Sequence, residues 1–207
     1  MNRRTPALKA LATFAAINAL GLALLHCRPA LAELAVGAPA PEFSLQDVDG
    51  KTRTLAELRG KIVVLEWINP NCPFSRRHAT EKTMVSTEHR HPDVVWLGIN
   101  STRKGHSDHI EPAEQKKYDA DKGIDYDVLF DPAGSTGKAY GAKTTPHMFV
   151  VDEQGKVLYN GAIDDDPSGR KNLAERVNFV DKALAAHQAG QAVDPASTQP
   201  YGCSVKY

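Results

Sequence analysis

Two stretches of this chain constrain everything else: Ile62-Val63-Val64-Leu65-Glu66-Trp67 and Val94-Val95-Trp96-Leu97-Gly98-Ile99. Both are almost unbroken runs of β-branched, aliphatic and aromatic residues, with none of the alternation of a strand that has one wet face. Strands of this kind need apolar cover on both sides. The chain must therefore build a sheet flanked by helices, and the segments between strands supply them. A helix is expected from about Cys72-Pro73 to His89, with Pro73 tolerated in its first turn. Pro112–Lys122 and Gly134–Tyr140 predict two more. The last is expected over 171–188, where Leu173, Val177, Val180 and Leu184 recur as one apolar stripe.

Shorter strands complete the sheet. Phe43-Ser44-Leu45 and Thr52 to Thr54 flank the turn Asp47–Lys51, in which Gly50 can take a positive φ. Leu55–Leu58 predicts a helical turn stopping at Gly60. Val128-Leu129-Phe130 is a third core strand. Met148–Val151 and Val157–Tyr159 form a hairpin about Asp152-Glu153-Gln154-Gly155. The expected fold class is α/β: a central mixed sheet with helices on both faces, an N-terminal β-hairpin extension and a C-terminal tail.

The two ends differ from this middle. Residues 1–32 carry Arg3, Arg4, Lys9 and Arg28 and no acid, then an Ala- and Leu-rich run, then Ala30-Leu31-Ala32. This has the form of a cleavable secretory signal, with Glu33 as the first mature residue and an exported, periplasmic or secreted product. Its apolar run is short and broken for a membrane span, which needs about 20 apolar residues. No stable span is therefore expected after cleavage. The expected organisation is a signal over 1–32, a domain over 33–188 and a tail over 189–207. Positive and negative charges balance at 25 each over the whole chain, which argues against nucleic acid as a partner. Cleavage would remove Cys27 and leave two cysteines, Cys72 and Cys203, an even number in an exported protein.

Cys72 holds the informative position. It stands in Asn69-Pro70-Asn71-Cys72-Pro73-Phe74-Ser75, where a buried strand gives way to a helix. A helix N-terminus offers unpaired N–H groups and about half a positive charge, both of which favour thiolate over thiol. The thiolate is the nucleophile, so the position suits thiol chemistry. Seventy-four residues on, Thr144-Thr145-Pro146 leads into the strand at Met148.

These features together resemble the thioredoxin-like proteins, and more closely the redoxins of the alkyl hydroperoxide reductase/thiol-specific antioxidant (peroxiredoxin-like) family. Four segments carry the likeness: Gly37 to Leu45; Leu58-Arg59-Gly60 through Leu65 with Trp67; Asn71-Cys72-Pro73-Phe74; and Thr145-Pro146 through Phe149 to Gly155. Glu66-Trp67-Ile68-Asn69-Pro70-Asn71-Cys72-Pro73-Phe74 and the ending Tyr201-Gly202-Cys203-Ser204 also resemble an exported thioredoxin-like branch with no settled substrate. The resemblance implies a thioredoxin fold, a thiol oxidoreductase or antioxidant activity, and a nucleophilic role for Cys72. It further implies a cis Thr145-Pro146 bond that shapes the substrate groove.

The departures are as informative. The position three after Cys72 is Ser75, so the local dithiol of a thioredoxin is absent. Leu65 and Asn69 stand where a peroxiredoxin carries Pro and Thr. Cys203 can supply the missing thiol from the tail and act as a resolving cysteine. Two alternatives stay open: a permanent Cys72–Cys203 staple in a non-catalytic binding module, and copper or zinc handling by the cysteines with His78 or His147. No organic cofactor and no resident metal are expected. Partners would be a reductant or a disulfide-bearing protein, or a small peroxide.

Other residues invite readings. His147 follows Pro146 and could face Cys72, and Arg76 or Arg77 could support its thiolate. His106-Ser107-Asp108-His109 could bind a metal, although an exposed loop is the simpler reading. His89 and His91 would close a helix. Asn100-Ser101-Thr102 matches a glycosylation acceptor.

Overall fold

The computed structural model describes residue 1 and residues 34–207, so the expected signal over 1–32 lies almost wholly outside the described residues. A seven-stranded sheet in the order β2-β1-β5-β4-β3-β7-β8 is its frame. The strands are β1 Ser44–Asp47, β2 Thr52–Thr54, β3 Val63–Trp67, β4 Val95–Asn100, β5 Asp127–Phe130, β7 His147–Val151 and β8 Val157–Gly161. The two apolar runs form β3 and β4 at the centre, paired in parallel from Val63↔Val95 to Trp67↔Ile99. β5 extends this parallel pair, while β7, β8, β1 and β2 join antiparallel. The sheet is mixed, as expected. A second, two-stranded sheet pairs β6, Thr144–Thr145, with β9, Cys203–Ser204.

Alternation along β3 explains why its run is apolar throughout. Val63, Leu65 and Trp67 face one core with Phe149, Tyr140 and Ile99. Val64 faces a second core with Met148, Val150, Tyr159 and Leu184. Trp67 lies 5.1 Å from Tyr140 and 5.2 Å from Phe149 between ring centroids. Its buried N–H donates to Ser101 Oγ at 3.0 Å, so the largest core side chain leaves no polar atom stranded.

The helices are α1 Pro73–Thr80, α2 Thr83–Arg90, α3 Pro112–Lys122, α4 Ser135–Tyr140 and α5 Phe179–Gln188. Two differ from expectation. The helix expected over 72–89 is broken at Lys82, which is left-handed with φ 55°. Continuing α1 would carry Lys82 onto the buried face of Ser75 and His78. The break instead exposes Lys82 and turns Met84 and Val85 inward. The helix expected over 171–188 begins only at Phe179, because Asn178 caps it by accepting from Asp181 N at 3.0 Å. Val180 and Leu184 are buried, but Leu173 and Val177 lie outside the helix, 62% and 42% exposed. Among the described residues, no helix is long and apolar enough to cross a membrane.

Candidate functional site

The loop after β3 presents Cys72. Asn69 is buried, and its Nδ2 donates to Thr102 Oγ1 at 2.8 Å, tying the loop to the segment after β4. Its Oδ1 accepts from Asn71 N at 2.7 Å, and its carbonyl accepts from Cys72 N at 2.9 Å. This tight turn leaves Cys72 as the N-cap of α1, followed by Pro73, whose missing N–H costs nothing there. Cys72 is only 2% exposed.

The opposite wall is the Thr145–Pro146 segment, whose peptide bond is cis. The Cys72 thiol donates to the Thr145 carbonyl at 3.0 Å. The Thr145 hydroxyl is buried beside it and helps hold the Cys72 thiol below its ordinary pKa. The tail then crosses this wall. β9 places Cys203 opposite Thr145 and Ser204 opposite Thr144. Gly202 lies so close that a Cβ on it would stand 2.1 Å from the Thr145 oxygen. The structure thus brings Cys72, Cys203, Thr145 and Pro146 together, with the two cysteines unbridged and close enough for each to shift the other's pKa.

A tyrosine on either side fastens the tail. The Tyr207 hydroxyl donates to the Ala142 carbonyl at 2.8 Å, and its ring fills the space left by Gly134 and Gly137. The Tyr201 hydroxyl donates to Asp164 and accepts from Arg77 at 3.0 Å, while its ring meets Phe74 edge-on at 6.0 Å. Arg176 lies 3.4 Å from Asp164 and 3.2 Å from Asp166.

The two thiols are driven in opposite directions. Burial pushes Cys72 up, but the hydrogen bonds of Cys203, Thr145 and Ser75 together outweigh it and hold the thiol below its ordinary value. Burial, and then the hydrogen bond with Cys72, push Cys203 up to about 11. Cys72 is therefore the thiol that ionises first.

Several expected participants do something else. His147 is buried, with Nδ1 accepting from Lys143 N at 3.1 Å and Nε2 against Asn160 at 2.8 Å; its ring packs on Phe149. His78 lies under Tyr201, 3.0 Å from its hydroxyl, and burial followed by the Arg77 charge pushes its pKa down to about 3. Arg77 serves this tail anchor, and Arg76 points to solvent. His106 Nδ1 accepts from Asp108 N at 3.0 Å in the loop where a metal was considered. His91 closes α2 against Asp181 at 2.9 Å, and His89 is exposed beside Glu88 and Asp125. Asn100, the last residue of β4, and the following Ser101 and Thr102 are 1–3% exposed, so the acceptor-like triplet is buried in the fold.

Sequence reasoning assigned no role to Glu66. It is buried and accepts from the Tyr126 hydroxyl at 3.0 Å. Burial raises its pKa to about 7, against a smaller lowering by Tyr126. It lines a cavity of about 20 Å³, shared with Asn69, Ser75 and Tyr118, that has room for one water. The available signal was one acid within an otherwise apolar strand.

The AhpC/TSA family pattern matches residues 36–160, more than half of the chain. The chain belongs to the AhpC/TSA family. Among relatives, the thiol:disulfide interchange protein DsbE of Allochromatium vinosum is 31% identical over 136 residues, 62% of this chain and 68% of that protein. The thiol-disulfide oxidoreductase ResA of Geobacillus thermodenitrificans is 27% identical over 125 residues, 60% of this chain and 67% of that protein. The solved structure of an uncharacterized conserved protein from Geobacillus kaustophilus matches with a TM-score of 0.74 at 27% identity. That match covers 84% of this chain and 93% of the other. The AhpC/TSA match ends at residue 160, so it does not reach the tail or Cys203. The fold class expected from sequence, a thioredoxin-like α/β sheet, is the fold found.

Proposed function

We propose that this AhpC/TSA chain is a thiol-based oxidoreductase in which Cys72 is the nucleophile and Cys203 the resolving thiol. The observation that carries the reading is the pairing of Cys203 with Thr145, on the wall against which Cys72 is hydrogen-bonded. The Cys72 thiolate attacks one sulfur of a partner disulfide, forms a mixed disulfide and releases the other sulfur as a thiolate. Deprotonated Cys203 then attacks the Cys72 sulfur, expels the partner's second thiolate and closes the Cys72–Cys203 bridge. With a hydroperoxide, Cys72 becomes a sulfenic acid and an alcohol leaves; Cys203 then condenses with it and water leaves. Thr145 holds the sulfur, and Pro146, which lacks an N–H, keeps the adjoining backbone from competing for it.

The partners in this reading are disulfide-bearing proteins or a small peroxide, together with a thiol reductant. The kinship with proteins named thiol-disulfide oxidoreductases favours the disulfide. Residues 1–32 act as an export signal ahead of a domain over 33–188 and the tail over 189–207. The test is thiol trapping across a graded redox buffer. A reversible Cys72–Cys203 transition at roughly −120 to −270 mV is expected of a working exchange pair. A bridge that resists reduction throughout would make it a staple and replace this reading with that of a binding module.

A further inference from the structure

This inference rests on the thiol cycle just proposed and concerns how the cycle is reset. A Cys72–Cys203 disulfide offers two sulfurs to an incoming thiolate, and attack on either would break the bond. The structure makes them unequal. Cys72 is 2% exposed, enclosed by the loop after β3, the Thr145–Pro146 wall and the tail. Cys203 is half-buried, lies on the outer of the two strands and is followed by the exposed Ser204. The Lys206 and Asp108 charges both act on Cys203 and in opposite directions. The approach to Cys203 is therefore favoured by access.

We infer that the reductant enters at Cys203, so that the mixed disulfide with the reductant forms on the tail and Cys72 is the leaving group. The incoming thiolate forms a bond to the Cys203 sulfur, and the Cys72–Cys203 bond breaks with its electron pair going to Cys72. A second thiolate of the reductant then attacks the reductant's own sulfur in the mixed disulfide. That step releases the oxidised reductant and a Cys203 thiolate, which takes up a proton. Two reductant thiols are oxidised and one protein disulfide is reduced. Leaving-group chemistry acts in the same direction, because the thiol with the lower pKa leaves faster, and Cys72 is the one held low.

The test uses the full wild-type chain. It is oxidised with one equivalent of hydrogen peroxide, freed of oxidant and mapped to verify the Cys72–Cys203 bridge. A pulse of β-mercaptoethanol follows, then an acid quench, N-ethylmaleimide and mass spectrometry of the peptides carrying each cysteine. At the earliest times the mercaptoethanol adduct should sit on Cys203 and the maleimide on Cys72, in at least about tenfold excess over the reverse. An adduct chiefly on Cys72, or an even mixture, overturns the inference while leaving the cycle intact. Absence of the bridge before the pulse overturns the cycle itself and this inference with it.

Discussion

Replacing Gly202 by alanine separates the strap from the chemistry it covers. The new Cβ would meet the Thr145 oxygen at 2.1 Å, its carbonyl carbon at 2.7 Å and Pro146 N at 3.2 Å. All three are backbone atoms, so no side chain can rotate away, and φ at Gly202 is +141°, where an L side chain is strained. β9 must therefore lift. It loses the pairs Thr144↔Ser204 and Thr145↔Cys203, and it loosens the bond from Val205 N to the Lys143 carbonyl at 3.1 Å. Two to three backbone hydrogen bonds at about 1 kcal/mol net each put the lost hold at about 2–3 kcal/mol. Closing the Cys72–Cys203 disulfide then has to re-dock the tail. The potential should rise by about 40–65 mV, since roughly 30 mV corresponds to 1.4 kcal/mol for a two-electron couple. In the reduced protein, Cys72 should be uncovered for a larger fraction of the time. Its alkylation at alkaline pH should accelerate on the order of 30-fold or more, following the opening equilibrium. Thiol trapping in a redox buffer reads the first change, and iodoacetamide kinetics with peptide mapping reads the second. A variant that folds, keeps the wild-type potential within about 10 mV and alkylates at the wild-type rate would refute the claim that the strap controls the pair.

Other substitutions probe the parts separately. Cys203→Ala removes the strongest influence holding the Cys72 thiol down, so the midpoint of Cys72 alkylation against pH should move up; an unmoved midpoint would mean that the helix terminus and Thr145 suffice. Glu66 has a pKa of about 7 in the fold against 4.5 unfolded, so its folded form holds the proton more tightly and stability should fall as pH rises from about 4.5 to 7. Glu66→Gln should flatten that slope and unfold at higher urea than wild type at pH 8, by up to about 3 kcal/mol, while matching it near pH 4.5. Tyr201→Phe leaves Asp164 and Arg77 short of a partner and should cost about 1–3 kcal/mol in urea unfolding. It should also raise the Cys72–Cys203 potential, whereas lost stability with an unchanged potential would make Tyr201 structural only.

Much of the fold was readable because it rests on patterns local to the chain. β3 and β4 are apolar on both faces, and that pattern alone demanded helices on both sides of a sheet. The turn at Gly50 and the hairpin around Gly155 are local backbone geometry, with φ of +78° and +77°. The errors lie where a local pattern met a tertiary constraint. The helix expected over 72–89 ran straight through Lys82, which the core could not accept. The stripe from Leu173 to Leu184 ignored the cap at Asn178. An Asn at 178 is a good N-cap residue type, but the reading rested on four apolar residues in register.

The site divides along the same line. Cys72 and the Thr145-Pro146 pair were legible because a strand-to-helix junction and a turn before a strand are local events. The tail's cysteine was legible but its docking was not, because a two-residue strand has no period and its partner lies about 60 residues upstream. Arg77 was therefore weighed as a support for the thiolate and His78 as a metal ligand beside the cysteines, when the neighbour of both is Tyr201. That misreading shows what the departure at Ser75 means. In a thioredoxin-type site the second thiol is one helical turn from the first, and the helix sets their separation. Here the second thiol rides on a strap, so its presence at Cys72 depends on Tyr201, Gly202 and Tyr207 staying docked. The free energy of that docking adds directly to the free energy of the disulfide. A change at a residue that anchors Tyr201, such as Asp164→Asn or Arg77→Ala, should therefore shift the potential without touching a sulfur. Were the pair governed by the helix terminus alone, neither change would move it.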